Sequence, residues 1–261
     1  LHRVDRRQRQ MCIRDRLTTL KLFGMAAELE RQIGNPTMND LPFEHRVRSM
    51  VDHESTVREN KRLQMLLKKA KLPIGASIED IDYRSPRGLD KSTMLSLSNL
   101  DWVRQQNNLV ITGPTGTGKT WLACALANYA CRLGLSAHFV RVPMLMENLL
   151  SARASGSFSL RLEQLKKIDL LILDDWGIET FSKRAQNDLL ELVDSRLGIR
   201  SMIITSQFPM SHWHDALDNK TVADAIMDRI AHSSYTLQLS GESLRKIKGT
   251  TTKKSNKAAI L

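Results

Sequence analysis

The chain has no apolar run approaching the roughly 20 residues that a membrane-spanning helix needs. It carries charge near its N-terminus, where a secretory leader would place its apolar stretch. Both absences argue against a helical membrane protein and an exported one, and a soluble, cytoplasmic protein is expected. Cysteine is scarce: there are only Cys12, Cys124 and Cys131. The last two stand seven apart on one predicted helix, too far along its axis to bridge, so a reducing compartment is the simplest reading. No internal repeat stands out. With 261 residues, 41% hydrophobic and 26% charged, the chain can bury a full core and is neither disordered nor fibrous. One α/β domain with a small appendage is expected.

Acidic residues are outnumbered, 28 against 39 basic, for a formal charge of +11. That excess invites a nucleic-acid partner, but its location matters more than its sum. Residues 1–16 carry +4, 17–72 carry +3, 73–244 carry −2, and 245–261 carry +6. The long middle module is not basic. The stretch Arg6 to Asp15 resembles the in-frame translation of a sequencing-library adapter, so residues 1–16 are set aside as a non-native segment, which leaves the native start unread. The alternative is a basic arm that grips phosphate.

Leu17 to Ile33 places apolar residues at largely helical spacing and ends at the turn cluster Gly34-Asn35-Pro36, predicting one short amphipathic helix. After Pro42, Phe43, Val47, Met50 and Val51 repeat at helical intervals, and the pattern continues with breaks to about Ala70. Residues 17–72 therefore read as a helical N-terminal domain. Its second half carries Arg58, Lys61, Arg62, Lys68, Lys69 and Lys71, either a solvated face or a DNA contact. Leu72-Pro73-Ile74-Gly75 breaks the pattern. From residue 73 strand-like runs (108–112, 137–142, 169–173, 201–205, 235–239) alternate with helical ones (120–133, 143–154, 160–167, 182–197, 221–231). Such alternation predicts a mostly parallel sheet with helices on both faces, over 73–246, followed by a basic tail at 247–261.

The strongest chemical signal is Gly113-Pro114-Thr115-Gly116-Thr117-Gly118-Lys119-Thr120, a complete phosphate-loop pattern between a strand and a helix. Its glycines permit a tight turn whose N–H groups surround phosphate oxygens, Lys119 reaches the β- and γ-phosphates, and the Thr120 hydroxyl ligates Mg2+. With Trp121, these residues are the candidate nucleotide-binding set. Leu170-Leu-Ile-Leu-Asp174-Asp175 fits a buried strand ending in two acids. Asp174 would hold the metal and Asp175 would polarise the attacking water, unless Asp175 only caps the turn before Trp176-Gly177. The strand 201–207 also ends in polar groups, so Ser206 or Gln207 could contact the γ-phosphate or the water. Arg229, at the end of an amphipathic helix, is either solvated or projects into a neighbouring subunit's site. His212 and His214 flank Trp213 at a spacing that does not suit a metal on a helix, and structural packing is favoured. Trp102, with Tyr83, could flank an adenine base or belong to the core.

These elements resemble the AAA+ ATPases, a P-loop NTPase class, and within them the group of the insertion-sequence transposition helper IstB and the helicase loader DnaC. The likeness runs over nearly all of 17–246 and rests on the phosphate loop, the Asp174-Asp175 pair, Ile-Ile-Thr-Ser-Gln-Phe-Pro at 203–209, His-Trp-His at 212–214, Ala-Asp-Ala-Ile-Met-Asp-Arg at 223–229, Gly-Glu-Ser-Leu-Arg at 241–245 and Leu20-Lys-Leu-Phe-Gly-Met-Ala26. The combination from Thr205 to Arg245 looks specifically like IstB. The resemblance implies that Gln207, with Ser206 beside it, senses the γ-phosphate and that Arg229 acts in trans. Arg245 would be a sensor arginine, although the roughly twenty residues that follow the last strand are too few for a full helical lid. It further implies a Mg-dependent ATPase that forms homo-oligomers on duplex DNA without sequence preference and recruits and stimulates a transposase, with the N-terminal domain implicated in partner contact. A helicase loader is the alternative. A nucleotide kinase is disfavoured by the paired acids, the polar-ended strand and Arg229.

Overall fold

The computed structural model describes residues 2–217 and 219–244. The chain divides into two compact units, Leu1–Met65 and Leu66–Leu261. The division lies inside a helix, ahead of the Leu72-Pro73 break in the sequence pattern.

The first unit is helical. It comprises α1 (His2–Thr19), α2 (Phe23–Gly34) and most of α3 (Phe43–Ala70), with a short 3-10 turn, Pro36–Asp40, before α3. The single helix expected over 17–33 is interrupted. Lys21 adopts a left-handed φ of 60°, and Leu22 N–H returns to Leu17 O, which ends α1. The break is stabilised from a distance: the Glu54 carboxylate on α3 accepts from Gly24 N (2.7 Å) and Met25 N (3.1 Å), satisfying first-turn donors of α2 that Leu22 cannot cap. Gly24 is required there, because a Cβ would stand 2.6 Å from the Glu54 Cα. Glu28 gathers the next layer, accepting from Arg31, Gln32 and Ser49, and these hydrogen bonds, led by Arg31, bring its carboxyl down to about 2.

The second unit is a sheet with helices on both faces. It continues through α4 (Lys91–Ser98), α5 (Asp101–Arg104), β1 (Asn108–Thr112), α6 (Lys119–Arg132), β2 (Ala137–Arg141), α7 (Val142–Ala154), α8 (Phe158–Lys166), β3 (Leu170–Trp176), α9 (Lys183–Arg196), β4 (Ser201–Ser206), α10 (Lys220–Ala231) and β5 (Ser234–Gln238). Among the described residues the strand order is β2-β3-β4-β1-β5, all parallel. Alternation along the central strands explains their uninterrupted apolar runs. Val110, Leu171, Leu173, Met202 and Ile204 pack with Leu145, Leu149, Leu192, Ile226 and Ile230 from α7, α9 and α10. By period two, Leu109, Ile111, Ile172 and Ile203 face the other side, toward α6, and are also fully buried. Cys124 and Cys131 are buried on α6 and unbridged, and burial pushes the Cys124 thiol up to about 12. No described helix is long and apolar enough to cross a membrane.

Candidate nucleotide site

Because β4 lies between β1 and β3, the sheet brings three strand ends into one row: the loop after β1, Thr205–Gln207 at the end of β4, and Asp174-Asp175 near the end of β3. This is the carboxyl edge at which open parallel sheets bind ligands.

The loop from Gly113 to Gly118 turns on three glycines with φ of 143°, 87° and 98° at positions 113, 116 and 118. Space also requires glycine at 116, where a Cβ would stand 2.1 Å from the Ser243 hydroxyl. Thr117 folds its hydroxyl onto Pro114 O (2.8 Å), and Gly118 caps α6. The buried Lys119 ammonium donates to Gly113 O (2.7 Å) and Pro114 O (2.9 Å), so its charge lies at the start of the loop. Thr115 donates to the Gln207 side chain at 2.7 Å, joining the loop to the end of β4. A cavity of about 400 Å³ runs along Gly116, Gly118, Lys119 and Thr120 to Ile74, Gly75 and the half-buried Trp121.

Asp174 is buried, and its Oδ1 accepts from the Thr120 hydroxyl (2.9 Å) and the Thr205 hydroxyl (2.5 Å). Burial raises its pKa above the ordinary carboxylate value, against the two hydroxyls that lower it. Asp175 has a left-handed φ of 63°, which costs a non-glycine residue about 1–3 kcal/mol and points its carboxylate differently from that of Asp174. Its N–H reaches Thr205 Oγ1 (3.3 Å), and its carboxylate meets Arg141, from the end of β2, at 2.6 Å. It therefore does not serve as a turn cap. Thr205 and Arg141 went unassigned in the sequence. β4 was legible as a polar-ended strand beside β3, but nothing local marks which of its side chains faces Asp174.

The other candidate residues have different settings. Ser206 is fully buried, donates to Trp176 O and accepts from Phe208 N, which leaves Gln207 as the polar group facing the loop. Trp102 is a core residue with its indole N–H on Leu97 O. Apolar side chains in the wall of the loop's cavity come instead from Ile74 and Trp121, among others. In the His-Trp-His segment only Trp213 packs, against Trp176, while both imidazoles are exposed and His214 stands 3.7 Å from Asp224. Arg229 lies on α10 with its Nε against Asp194 of α9 and Nη1 on Ala225 O (2.8 Å). Arg245 falls outside the described residues.

The oxygen donors fit the expected ligands. One carboxylate and one hydroxyl beside a loop of N–H donors and a lysine suit a hard divalent cation bridged to phosphates. Among the described residues no group of three or more His, Cys, Asp or Glu is placed to hold a metal by itself, so phosphate oxygens would have to complete the shell.

The family model described as IstB-like ATP binding protein matches residues 15–252. The chain belongs to this family. It is similar to the insertion-sequence ATP-binding protein y4pL of Sinorhizobium fredii, with 44% identity over 89% of this chain and 95% of that protein. Among solved structures, the crystal structure of DnaI superposes with a TM-score of 0.55 at 25% identity, covering 63% of this chain and 91% of that one. The DnaC helicase loader gives 0.54 at 20%, covering 65% and 99%. The fold is that of an AAA+ P-loop ATPase with a helical region before it, and the chain is an ATP-binding protein of the insertion-sequence type.

Proposed function

We propose that this protein is an ATP-driven transposition helper that assembles as a homo-oligomer on duplex DNA, recruits and stimulates a transposase, and resets by hydrolysing ATP with Mg2+. The observation that carries the chemistry is the convergence, on one sheet edge, of the Lys119 loop, the Thr120–Asp174 pair, Asp175 and Gln207. The metal, held by Thr120, Asp174 and phosphate oxygens, would supply charge neutralisation at the transferring phosphoryl group. The chain's own residues do the rest. The loop N–H groups and Lys119 orient the phosphates, Gln207 reads the γ-phosphate through its link to Thr115, and Asp175, once released from Arg141, polarises the attacking water. Arg229 would serve a neighbouring subunit's site after leaving Asp194.

The partner reading follows from family membership and from y4pL, which carries an insertion-sequence name. It has support on the surface: Lys61 and Arg62 of α3 in the first unit, and Lys68, Lys69 and Lys71 in the second, are exposed. The test is electron microscopy of the full chain with duplex DNA, with and without ATP, beside the Lys119→Ala variant. ATP-dependent assemblies that Lys119→Ala fails to form, and that dissolve steeply with salt at about −0.9 in log–log slope per phosphate neutralised, are expected. Preference for single strands with capture of a helicase ring would support the loader reading instead. Transfer of labelled phosphate to a nucleoside would reject the ATPase reading altogether.

A further inference from the structure

The phosphate loop has a neighbour that its motif does not include. Arg87 precedes the loop in sequence and is only 4% exposed. Its Nη1 donates to Thr117 O (3.2 Å) and its Nη2 to Asp82 O (3.0 Å), while its Nε has no hydrogen-bond partner among the described residues. It lies directly on the loop, since a Cβ added to Gly118 would stand 2.7 Å from Nη1. Asp82 attracts it, but that carboxylate accepts from Arg84 N–H and the Ser85 hydroxyl rather than from Arg87. Burial lowers the guanidinium pKa, as expected where counter-charge is insufficient.

A buried guanidinium left with two neutral carbonyls and one orphan N–H is unfavourable unless an anion joins it. It lines the same cavity as Gly116, Gly118, Lys119 and Thr120, the residues that collect phosphate oxygens. We propose that Arg87 is a nucleotide-binding residue, donating from its guanidinium to phosphate oxygens that ADP and ATP share. The inference rests on reading the loop as an ATP site. The two cations are separated along the loop: Lys119 sits on the carbonyls of Gly113 and Pro114 at its start, Arg87 on Thr117 and Gly118 at its end. The cavity that Arg87 lines also has Ile74 and Trp121 in its wall. With the two cations at different ends of the loop, Arg87 is assigned phosphates other than the terminal one that the loop motif gives to Lys119.

The test titrates the full chain with ATP, ADP and adenosine by calorimetry, in wild type, Arg87→Met, Arg87→Lys and Lys119→Ala. Removing one charge-assisted donor set should lower ADP and ATP affinity alike, by about 10- to 100-fold, without changing adenosine competition. Arg87→Lys should recover part of the loss, because the charge returns without the planar fork. A folded Arg87→Met variant that binds ADP within about threefold of wild type, or loses adenosine competition equally, overturns the proposal. Should Arg87→Met fail to fold, Arg87→Lys decides: ADP affinity lowered severalfold supports the contact, and unchanged affinity rejects it. Wild type that binds no ATP would remove the site reading itself. ATP binding lost in Lys119→Ala but retained in both Arg87 variants would remove only the Arg87 inference.

Discussion

Replacing Thr205 with Val should destabilise the protein through one hydroxyl, and the effect should depend on pH. Thr205 is 1% exposed, and its Oγ1 holds the acid pair from both sides, donating to Asp174 Oδ1 at 2.5 Å and accepting from Asp175 N at 3.3 Å. Valine fills nearly the same volume, so little cavity is created and the loss is almost purely polar. A hydrogen bond to a buried carboxylate contributes about 1.5–3 kcal/mol, and the longer one to the peptide N–H about 0.5–1, giving about 2–4 kcal/mol for the variant. Against a typical total of about 5–15 kcal/mol, this is readily measured by urea unfolding. The sign of the pH effect follows from Asp174. Its folded pKa is raised, chiefly by burial, so its contribution favours the native state most when it is protonated and is lost as pH rises through the folded value. Thr205→Val removes a donor that stabilises the ionised form. The difference from wild type should therefore be full above the folded pKa of Asp174 and fade as pH falls through it. Thr205→Ser, which keeps the hydroxyl, should lose much less. A difference that stays below about 0.5 kcal/mol at every pH, or one that does not change between acid and alkaline pH, would refute the view that this hydroxyl stabilises an ionised Asp174.

Arg141→Ala frees the Asp175 carboxylate from its ion pair, whose arginine side is 63% exposed. Such a pair is worth at most about 1 kcal/mol, so steady-state ATP turnover should rise by no more than about fivefold, and a fall would show that Arg141 assists the reaction instead. In the first unit, Glu28→Gln weakens the contacts to Arg31, Gln32 and Ser49 and should cost about 1–3 kcal/mol in urea unfolding of the full chain. Since the Glu28 carboxyl sits at about 2 when folded, its contribution is full above the ordinary glutamate range and is lost as pH falls toward about 2. Hydrogen exchange in α2 should accelerate over that window in wild type and less so in the variant.

Much of the second unit could be read from sequence because its signals are local. Four consecutive apolar residues at 170–173 ending in two aspartates describe a strand covered on both faces with its acids at an edge, and that is how β3 lies. The glycines at 113, 116 and 118 likewise announce a turn that only they can make, and all three have positive φ. Side chains whose task depends on a distant partner gave no such signal. Glu54 is one charge among many on a long polar helix, yet it caps α2 from 30 residues away. Arg87 follows the Leu72-Pro73 break in a stretch where nothing local marks it, and only the fold lays it against Thr117. Arg141 ends an edge strand where a solvated cation would be unremarkable, and it meets Asp175 only because β2 is the parallel neighbour of β3.

The physical difference is one of range. Backbone conformation and burial are set within a few residues and leave a periodic or compositional trace, whereas pairing between polar groups is set by strand order and leaves none. The Lys21 break shows the same rule failing in the opposite direction. The apolar spacing across 17–33 satisfies a single helix, and nothing between Thr18 and Phe23 forbids one. The chain turns because Glu54 offers first-turn N–H groups a carboxylate that a continuous helix could not use, since those donors would already be bonded to carbonyls one turn back. A local pattern reports which conformations are available to a segment. The choice among them belongs to whichever long-range partner leaves fewest buried polar groups unsatisfied.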